Sequence, residues 1–272
     1  MANGAALAWI IPKRDVDAVI SQAPPASVLG VVSTINVLTI LAATWCMAAI
    51  ERRPMLSYGL ADPQLLRRLA VGAAWGFVAL SILVGLLVAT GHMAISGLAL
   101  HGPAIAKYAL VWGYIFLLVG FFEECMLRGY LLATLARGMG FWPAAVALSL
   151  VFGSIHITNP GETAFGIAST GAFGLVACYA VRRFGSLWWV IGYHAAWDWA
   201  QSYFYGTHDS GLVSPGHLLA SMPIGSRWWS GGTVGPEGSF FVFVPLALAA
   251  VVIARSRARP VPASPQPPIS GT

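Results

Sequence analysis

Long apolar runs, each close to the length of a membrane-crossing helix, make up most of this chain. A helix needs roughly 20 apolar residues to cross the hydrocarbon core of a bilayer, where only helices or closed barrels satisfy every backbone group. The runs are too uniformly apolar for the alternating strands of a barrel. The pattern therefore predicts an all-α, polytopic transmembrane helical bundle of about seven spans: Val28–Ile50, Leu69–Thr90, Ala106–Arg137, Phe141–Ile157, Thr163–Val181, Leu187–Tyr205 and Phe240–Ala254.

The composition supports this prediction and excludes several other classes of protein. Of the 272 residues, 57% are hydrophobic and 9% are charged, whereas a soluble domain carries about a quarter charged residues. A disordered protein, a basic nucleic-acid binder and a secreted disulfide scaffold are therefore excluded. The three cysteines are isolated within apolar runs, so neither disulfides nor zinc knuckles are expected.

Charge placement predicts how the bundle is oriented. With the N-terminus outside and the C-terminus in the cytoplasm, eleven of the 15 Lys and Arg residues lie on the inner side, as the positive-inside rule requires. These residues are Arg52, Arg53, Arg67, Arg68, Arg128, Arg137, Arg182, Arg183, Arg255, Arg257 and Arg259. Since Lys13 and Arg14 follow the first short apolar stretch rather than precede it, residues 1–27 are interpreted as a retained N-terminal tail. Residues 28–259 are predicted to form the transmembrane protease domain, and the Pro/Ser-rich residues 260–272 are expected to form a disordered tail.

Two adjacent carboxylates within the third apolar run are the first unusual feature. Glu124 and Arg128 stand four residues apart, so they share a helical face and can pair, whereas Glu123 points about 100° away and has no partner in its own helix. A charge inside the membrane costs several kcal/mol and is therefore a functional hypothesis by default. The alternative is a cluster of charges at the membrane boundary.

Imidazole groups form two further clusters. His156 closes the fourth run, and His194 precedes Asp198 by four residues in the sixth. Each cluster also has a purely structural interpretation. His156 would be a packed or interfacial histidine, and His194 would form a self-contained hydrogen bond with Asp198. Counting about 1.5 Å per residue along each helix places all three clusters in the middle third of the bilayer, where they could form one polar site able to activate water.

The three motifs together resemble those of a known protease family. Glu-Glu-x-x-x-Arg at 123–128, Phe-x-x-x-His at 152–156 and His-x-x-x-Asp at 194–198 are similar to the motifs of the CPBP intramembrane proteases. That group includes the type II CAAX prenyl proteases and the bacteriocin-processing or self-immunity (Abi) proteins. The resemblance covers roughly Leu110 to Gln201 and implies an all-helical membrane endopeptidase whose catalytic cavity opens within the bilayer.

The resemblance also implies catalytic roles. Glu123 corresponds to the carboxylate that activates water, while Glu124 and Arg128 complete the first motif, His156 belongs to the second, and His194 and Asp198 belong to the third. Many members of the family carry Asn where this chain has Asp198. The expected reaction is hydrolysis by a Glu-activated water without an acyl-enzyme, because the chain has no Gly-x-Ser-x-Gly motif and no cysteine placed as a nucleophile.

The sequence is compatible with more than one mechanism and more than one function. The family is described both as metalloproteases and as glutamate-dependent enzymes, and a divalent metal such as zinc would be held by Glu123, His156, His194 and Asp198. A metal-free mechanism is slightly favoured. The rival functions are a non-catalytic bacteriocin-immunity or scaffold protein of the same fold, and a proton or ion transporter that uses the same buried groups.

The expected surroundings are the lipid bilayer, most simply a bacterial plasma membrane, and a peptide or protein substrate; no nucleic-acid partner is expected. The substrate and any recognition of a prenyl group are not encoded in a readable motif. The Gly-rich loop 206–238 has no assigned role, and His208, Asp209 and His217 are expected to be ordinary solvated loop residues.

Overall fold

The computed structural model describes residues 25–256, and helices dominate that range. The elements, numbered in chain order, are α1 Ala26–Ile50, α2 Leu65–Ala89, α3 Pro103–Glu124, α4 Leu132–Met139, α5 Phe141–Ser154, α6 Ala164–Phe184, α7 Trp188–Trp199, α8 Arg227–Ser230 and α9 Phe243–Arg255, with two strands, β1 Met93–Leu98 and β2 Leu219–Pro223. The C-terminal tail 260–272 and almost all of the N-terminal tail lie outside the described residues.

Among residues 25–256, four helical segments are long and apolar enough to cross a membrane: Ala26–Ile50, Leu65–Ala89, Pro103–Met139 and Ala164–Phe184. Their length and hydropathy make the chain an integral membrane protein with a mainly helical structure. The predicted spans Phe141–Ile157 and Phe240–Ala254 correspond to shorter apolar helices, at Phe141–Ser154 and Phe240–Arg255. The count of seven spans and the orientation of the bundle therefore stay predictions.

Within the described residues, the all-α prediction misses a small antiparallel sheet. Strand β1 pairs with β2 in a register that sets Met93 opposite Pro223, and the pairing is irregular between Ile95 and Leu98. The two strands come from segments that the charge bias assigns to the same, outer side of the membrane. Pairing between distant loops satisfies backbone groups that neither short segment could satisfy alone, and the local sequence carries no sign of it.

The predicted helix Ala106–Arg137 is interrupted in its middle. A π-helical segment, Cys125–Leu131, follows α3, and Gly129 within it has non-helical backbone angles (φ −81°, ψ −113°). A second π-helical segment, Ala200–Phe204, follows α7. Such wide turns occur frequently at functional sites because they redirect side chains that a regular helix would place elsewhere. The first segment begins directly after Glu124 and contains Arg128, and the second begins two residues after Asp198.

Helix α7 lies at the centre of the bundle, against α2. A Cβ atom on Gly72 would lie 2.0 Å from the Trp189 carbonyl oxygen, and one on Gly76 would lie 2.1 Å from that of Tyr193. A Cβ atom on Gly192 would in turn meet the Leu69 carbonyl oxygen at 2.1 Å. Only glycine permits this approach, which is the usual device for close packing between membrane helices. The helix that carries His194 and Asp198 is thereby held at a fixed depth within the protein.

Candidate active site

The first motif is joined to the third by a direct hydrogen bond. His194 Nδ1 lies 2.8 Å from Glu124 Oε1, and Arg128 Nη1 donates to the same oxygen at 3.4 Å. Glu124 and Arg128 are both essentially inaccessible to solvent. The pairing of Glu124 with Arg128 that the spacing predicts is present, and the cluster lies inside the protein rather than at its surface.

The second imidazole nitrogen of His194 faces two other carboxylates. His194 Nε2 lies 3.7 Å from Glu123 Oε2 and 3.6 Å from Asp198 Oδ2. The second distance is too long for a hydrogen bond, so the self-contained His–Asp bond is not what the structure contains. His194 is instead the common neighbour of all three carboxylates, which come from α3 and α7.

The second motif packs its aromatic ring against this cluster. The Arg128 guanidinium lies 4.4 Å from the centre of the Phe152 ring, an attractive cation–π geometry. A Cβ atom on Gly174 would lie 2.8 Å from Arg128 Nη2, so the glycine leaves space for the guanidinium. His156 lies in the turn after α5, where its Nδ1 is 2.7 Å from the Phe152 carbonyl oxygen.

A cavity of about 70 Å³ connects the second and third motifs. His156, His194 and Asp198 contribute to its wall, together with Phe152, Phe173, Trp197, Ser169, Thr170, Asp209, Ser210, Glu237, Val242 and Leu246. Glu123 reaches the cluster through His194. The three sequence motifs therefore converge on one region, although they are far apart in the chain.

Loop residues that the sequence interpretation set aside also line the cavity. Asp209, expected to be an ordinary solvated residue, accepts a hydrogen bond from Ser202 at 2.8 Å, and burial raises its pKa to about 6. Glu237 is bonded by Gln201 Nε2 and, at 2.7 Å, by the Ser210 backbone N–H. Burial and the nearby Asp209 carboxylate raise the pKa of Glu237 well above its usual range. The prediction for Asp209 is therefore wrong.

The remaining loop histidines lie outside the cavity wall. His217 Nδ1 contacts the Ser214 carbonyl oxygen at 3.0 Å, and the carbonyl oxygen of His208 accepts a bond from Gln201 at 2.8 Å. Neither side chain contributes to the lining. No local signal in the sequence distinguishes Asp209 and Glu237 from other loop acids, because their position depends on how residues 206–238 fold back over α7.

The residues considered as metal ligands do not form a ligand set as they are placed. Within residues 25–256, no group of three or more His, Cys, Asp or Glu side chains has the arrangement needed to hold a metal ion. The Nδ1 atom of His194 is hydrogen-bonded to Glu124, and its Nε2 atom is 3.6 Å from Asp198. A metal site needs its donor atoms at about 2 Å from a common point. No catalytic step is accordingly derived through a metal.

Part of the chain matches a known protein family. A family described as type II CAAX prenyl endopeptidase Rce1-like matches residues 105–200. This match confirms the resemblance to the CAAX proteases. The Rce1-like region covers about a third of the chain and contains all three motifs, but it ends before Asp209 and Glu237. Neither the curated proteins nor the solved structures give a match.

Proposed function

We propose that this chain is an intramembrane endopeptidase that hydrolyses a peptide bond with a water activated by Glu123. The observation that carries the proposal is the position of His194, which contacts Glu124 at 2.8 Å, lies within 3.7 Å of Glu123 and Asp198, and lines a cavity shared with His156. The Rce1-like match agrees with this assignment because that family consists of endopeptidases by description.

The proposed reaction needs a base, a donor for the developing oxyanion and a proton for the leaving amine. Glu123 removes a proton from water as the water oxygen attacks the carbonyl carbon. His156 and His194 orient the water and donate to the oxyanion of the tetrahedral intermediate. The carbon–nitrogen bond then breaks, and the proton held by Glu123 passes to the leaving amine. Asp198 holds His194 in place during these steps.

Glu124 and Arg128 are assigned a positioning role. Their ion pair connects α3 to the π-helical segment, and the bond from Glu124 to His194 fixes α7 against both. The proposed domain spans residues 28–259, and the substrate is a peptide or a membrane-associated protein with no nucleic acid involved. The proposed location is a bacterial plasma membrane. No feature of the described residues selects a prenyl chain.

The test uses the purified full-length protein in liposomes with a library of internally quenched peptides. The wild type should cleave a subset of them, and Glu123→Gln should lower kcat by about 10²- to 10⁴-fold, the range typical of a removed general base. Glu51→Gln is the matched control, because Glu51 bonds to Tyr58, Tyr130 and Arg137, away from the cavity. It should leave cleavage unchanged.

Other outcomes would support the rival functions. Equal cleavage by wild type and Glu123→Gln would remove the proposed role of Glu123. Proton or ion flux that depends on Glu123, with no peptide cleaved, would indicate a transporter. A wild type with neither activity would favour the scaffold or immunity protein. Stoichiometric zinc whose removal abolishes cleavage would overturn the metal-free mechanism.

A further inference from the structure

A groove of about 860 Å³ lies between the first parts of α1 and α3, far larger than the cavity at the motifs. Its walls come from residues 26–35 and 107–115, and its volume is within the range of about 300–1,000 Å³ found for small-molecule sites. Only 17% of the most apolar window of α1 is buried, the lowest share among the four candidate spans of residues 25–256. The groove therefore opens towards lipid rather than towards the protein core.

The two helices run parallel along the groove. Two contacts between residues 80 and 79 positions apart connect α1 to α3 and to the π-helical segment that follows it: Thr34 with Tyr114 at 3.0 Å, and Glu51 with Tyr130 at 2.8 Å. This constant offset places Ser27 level with Lys107, and Ile35 level with Ile115. The groove is thus about 12 Å long, which is most of the depth of one leaflet in a hydrocarbon core about 30 Å thick.

The interior of the groove suits a hydrocarbon chain. Val31 and Leu110 lie on opposite walls, and their side chains are 60% and 75% exposed. The Thr34 hydroxyl donates to the Gly30 carbonyl oxygen at 2.7 Å and lies 3.0 Å from the Tyr114 hydroxyl. These polar groups are bonded within the protein, so an occupant at their level needs to supply no polar partner.

Lys107 adds a positive charge at the end of the groove where both helices begin. It is the only Lys or Arg residue among the described residues that line the groove. Its ammonium lies 5.6 Å from the centre of the Tyr108 ring, and no carboxylate of residues 25–256 forms a salt bridge with it. A lysine near the end of a membrane helix extends its ammonium to the level of the lipid headgroups.

The α3 wall is held in place by the protein behind it. Trp199 Nε1 donates to the Ala109 carbonyl oxygen at 2.9 Å, and the Tyr203 hydroxyl donates to that of Ile105 at 2.8 Å. Both bonds attach this part of α3 to α7 and to the π-helical segment after it. The wall is therefore formed before any ligand binds, which reduces the cost of binding.

We propose that this groove binds one acyl chain of an anionic phospholipid, with the lipid phosphate next to Lys107. The length of the groove matches one leaflet, its walls match a hydrocarbon chain, and the charge at its end complements an anionic headgroup. The inference does not depend on the proposed peptidase activity, because the groove contains none of the motif residues.

The test identifies the occupant by photo-crosslinking in the full-length protein. Benzoylphenylalanine replaces Val31 or, separately, Leu110, in liposomes with equal amounts of phosphatidylglycerol and phosphatidylcholine. Leu38 of α1 is the control position, because it is 61% exposed and lies outside the groove. Adducts at Val31 and Leu110 should be enriched about fivefold in phosphatidylglycerol over those at Leu38, which corresponds to about 1 kcal/mol.

A second substitution assigns the enrichment to Lys107. Lys107→Gln should reduce the ratio of the two lipids in the adducts at Val31 to the ratio found at Leu38. Arg227→Gln is the matched control, since Arg227 is also exposed and lies 5.4 Å from the centre of the Trp228 ring, but does not line the groove. It should leave the enrichment unchanged.

Three results would overturn the inference. One is the same lipid ratio at Val31 and Leu110 as at Leu38, which would mean that bulk lipid covers the groove without selection. Another is enrichment that persists in Lys107→Gln. The third is adducts at Val31 and Leu110 that form with residues 1–24 or with a second copy of the chain instead of lipid, since the groove would then be a protein contact.

Discussion

Two carboxylate clusters are attached to opposite ends of the π-helical segment Cys125–Leu131, and they are built differently. At one end, Glu51 after α1 accepts bonds from the Tyr58 hydroxyl at 3.0 Å, the Tyr130 hydroxyl at 2.8 Å and Arg137 at 2.9 Å. A single carboxylate there has a complete set of donors and lies at the protein surface. It links α1, the π-helical segment and α4.

At the other end, three carboxylates have only two cationic or hydrogen-bond-donating neighbours among the described ion pairs. Glu123, Glu124 and Asp198 share His194 and Arg128 as their cationic or donor neighbours. Glu124 Oε2 is buried without a hydrogen-bond partner among the described residues. A cluster that exists only to hold helices together would be satisfied in the way that the Glu51 cluster is. Carboxylate oxygens without protein donors are free to accept from water or substrate, and this difference distinguishes the Glu51 cluster from the proposed active site.

The largest expected effect is the loss of Arg128. Arg128→Met leaves Glu124 buried without its cation, so the free energy of unfolding should fall by about 3–5 kcal/mol. Arg137→Met, which removes a partly exposed partner of Glu51, should cost about 1 kcal/mol or less. Unfolding in mixed detergent micelles, followed by near-UV circular dichroism, measures both.

The double variant Arg128→Met with Glu124→Gln provides the control. Removing the stranded charge should recover part of the lost stability, because the penalty belongs to the unpaired carboxylate. If Arg128→Met and Arg137→Met cost the same amount, the contrast between a buried and a surface cluster is wrong.

The second effect concerns catalysis rather than stability. His194→Gln removes the group that contacts all three carboxylates, and kcat should fall about 10²- to 10³-fold, the range for a lost oxyanion donor. His217→Gln, in the loop and away from the cavity wall, should retain full activity. Peptide cleavage in liposomes gives both values, and comparable activity in the two variants would contradict the assignment of His194.

The sequence predicts the parts that depend on local pattern. Apolar runs predict the long helices, and four-residue spacing predicts the pairing of Glu124 with Arg128, because helical periodicity alone decides both. The position of each charged group within its apolar run also predicts that the three motifs lie at a similar depth and can converge. Intramembrane charge is costly wherever it occurs, so charged groups gather.

Features that arise from contacts between distant segments could not be predicted in this way. The sheet joins Met93 to Pro223 across 130 residues of chain, and the interruption at Gly129 looks, in the sequence, like a continuing helix. Asp209 and Glu237 reach the cavity only because residues 206–238 fold over α7, held by bonds from Gln201 and Ser202. Loop geometry of this kind has no periodic signature.

The smallest effect distinguishes Glu51 from Asp209, a loop carboxylate in the cavity wall, by the sign of their pH dependence. Bonds from Tyr130, Arg137 and Tyr58 outweigh partial burial and lower the pKa of Glu51 below its usual 4.5. Its contribution to stability is therefore complete above pH 4.5 and is lost as the pH falls through the lower folded value. For Asp209, burial raises the pKa from 3.8 to about 6. Between these two pH values, the folded state therefore holds a proton that the unfolded chain has released.

The two groups should consequently act in opposite directions on unfolding curves recorded across pH. Stability should fall as the pH drops below about 4.5, less steeply in Glu51→Gln, whereas Asp209 should reduce stability as the pH rises from about 4 to 6, and Asp209→Asn should remove that decline. Identical profiles for wild type and both variants would mean that neither carboxylate differs from a solvated one. Opposite slopes would show that Glu51 gains from being ionised in the folded protein, whereas burial keeps Asp209 protonated there to a higher pH than in the unfolded chain.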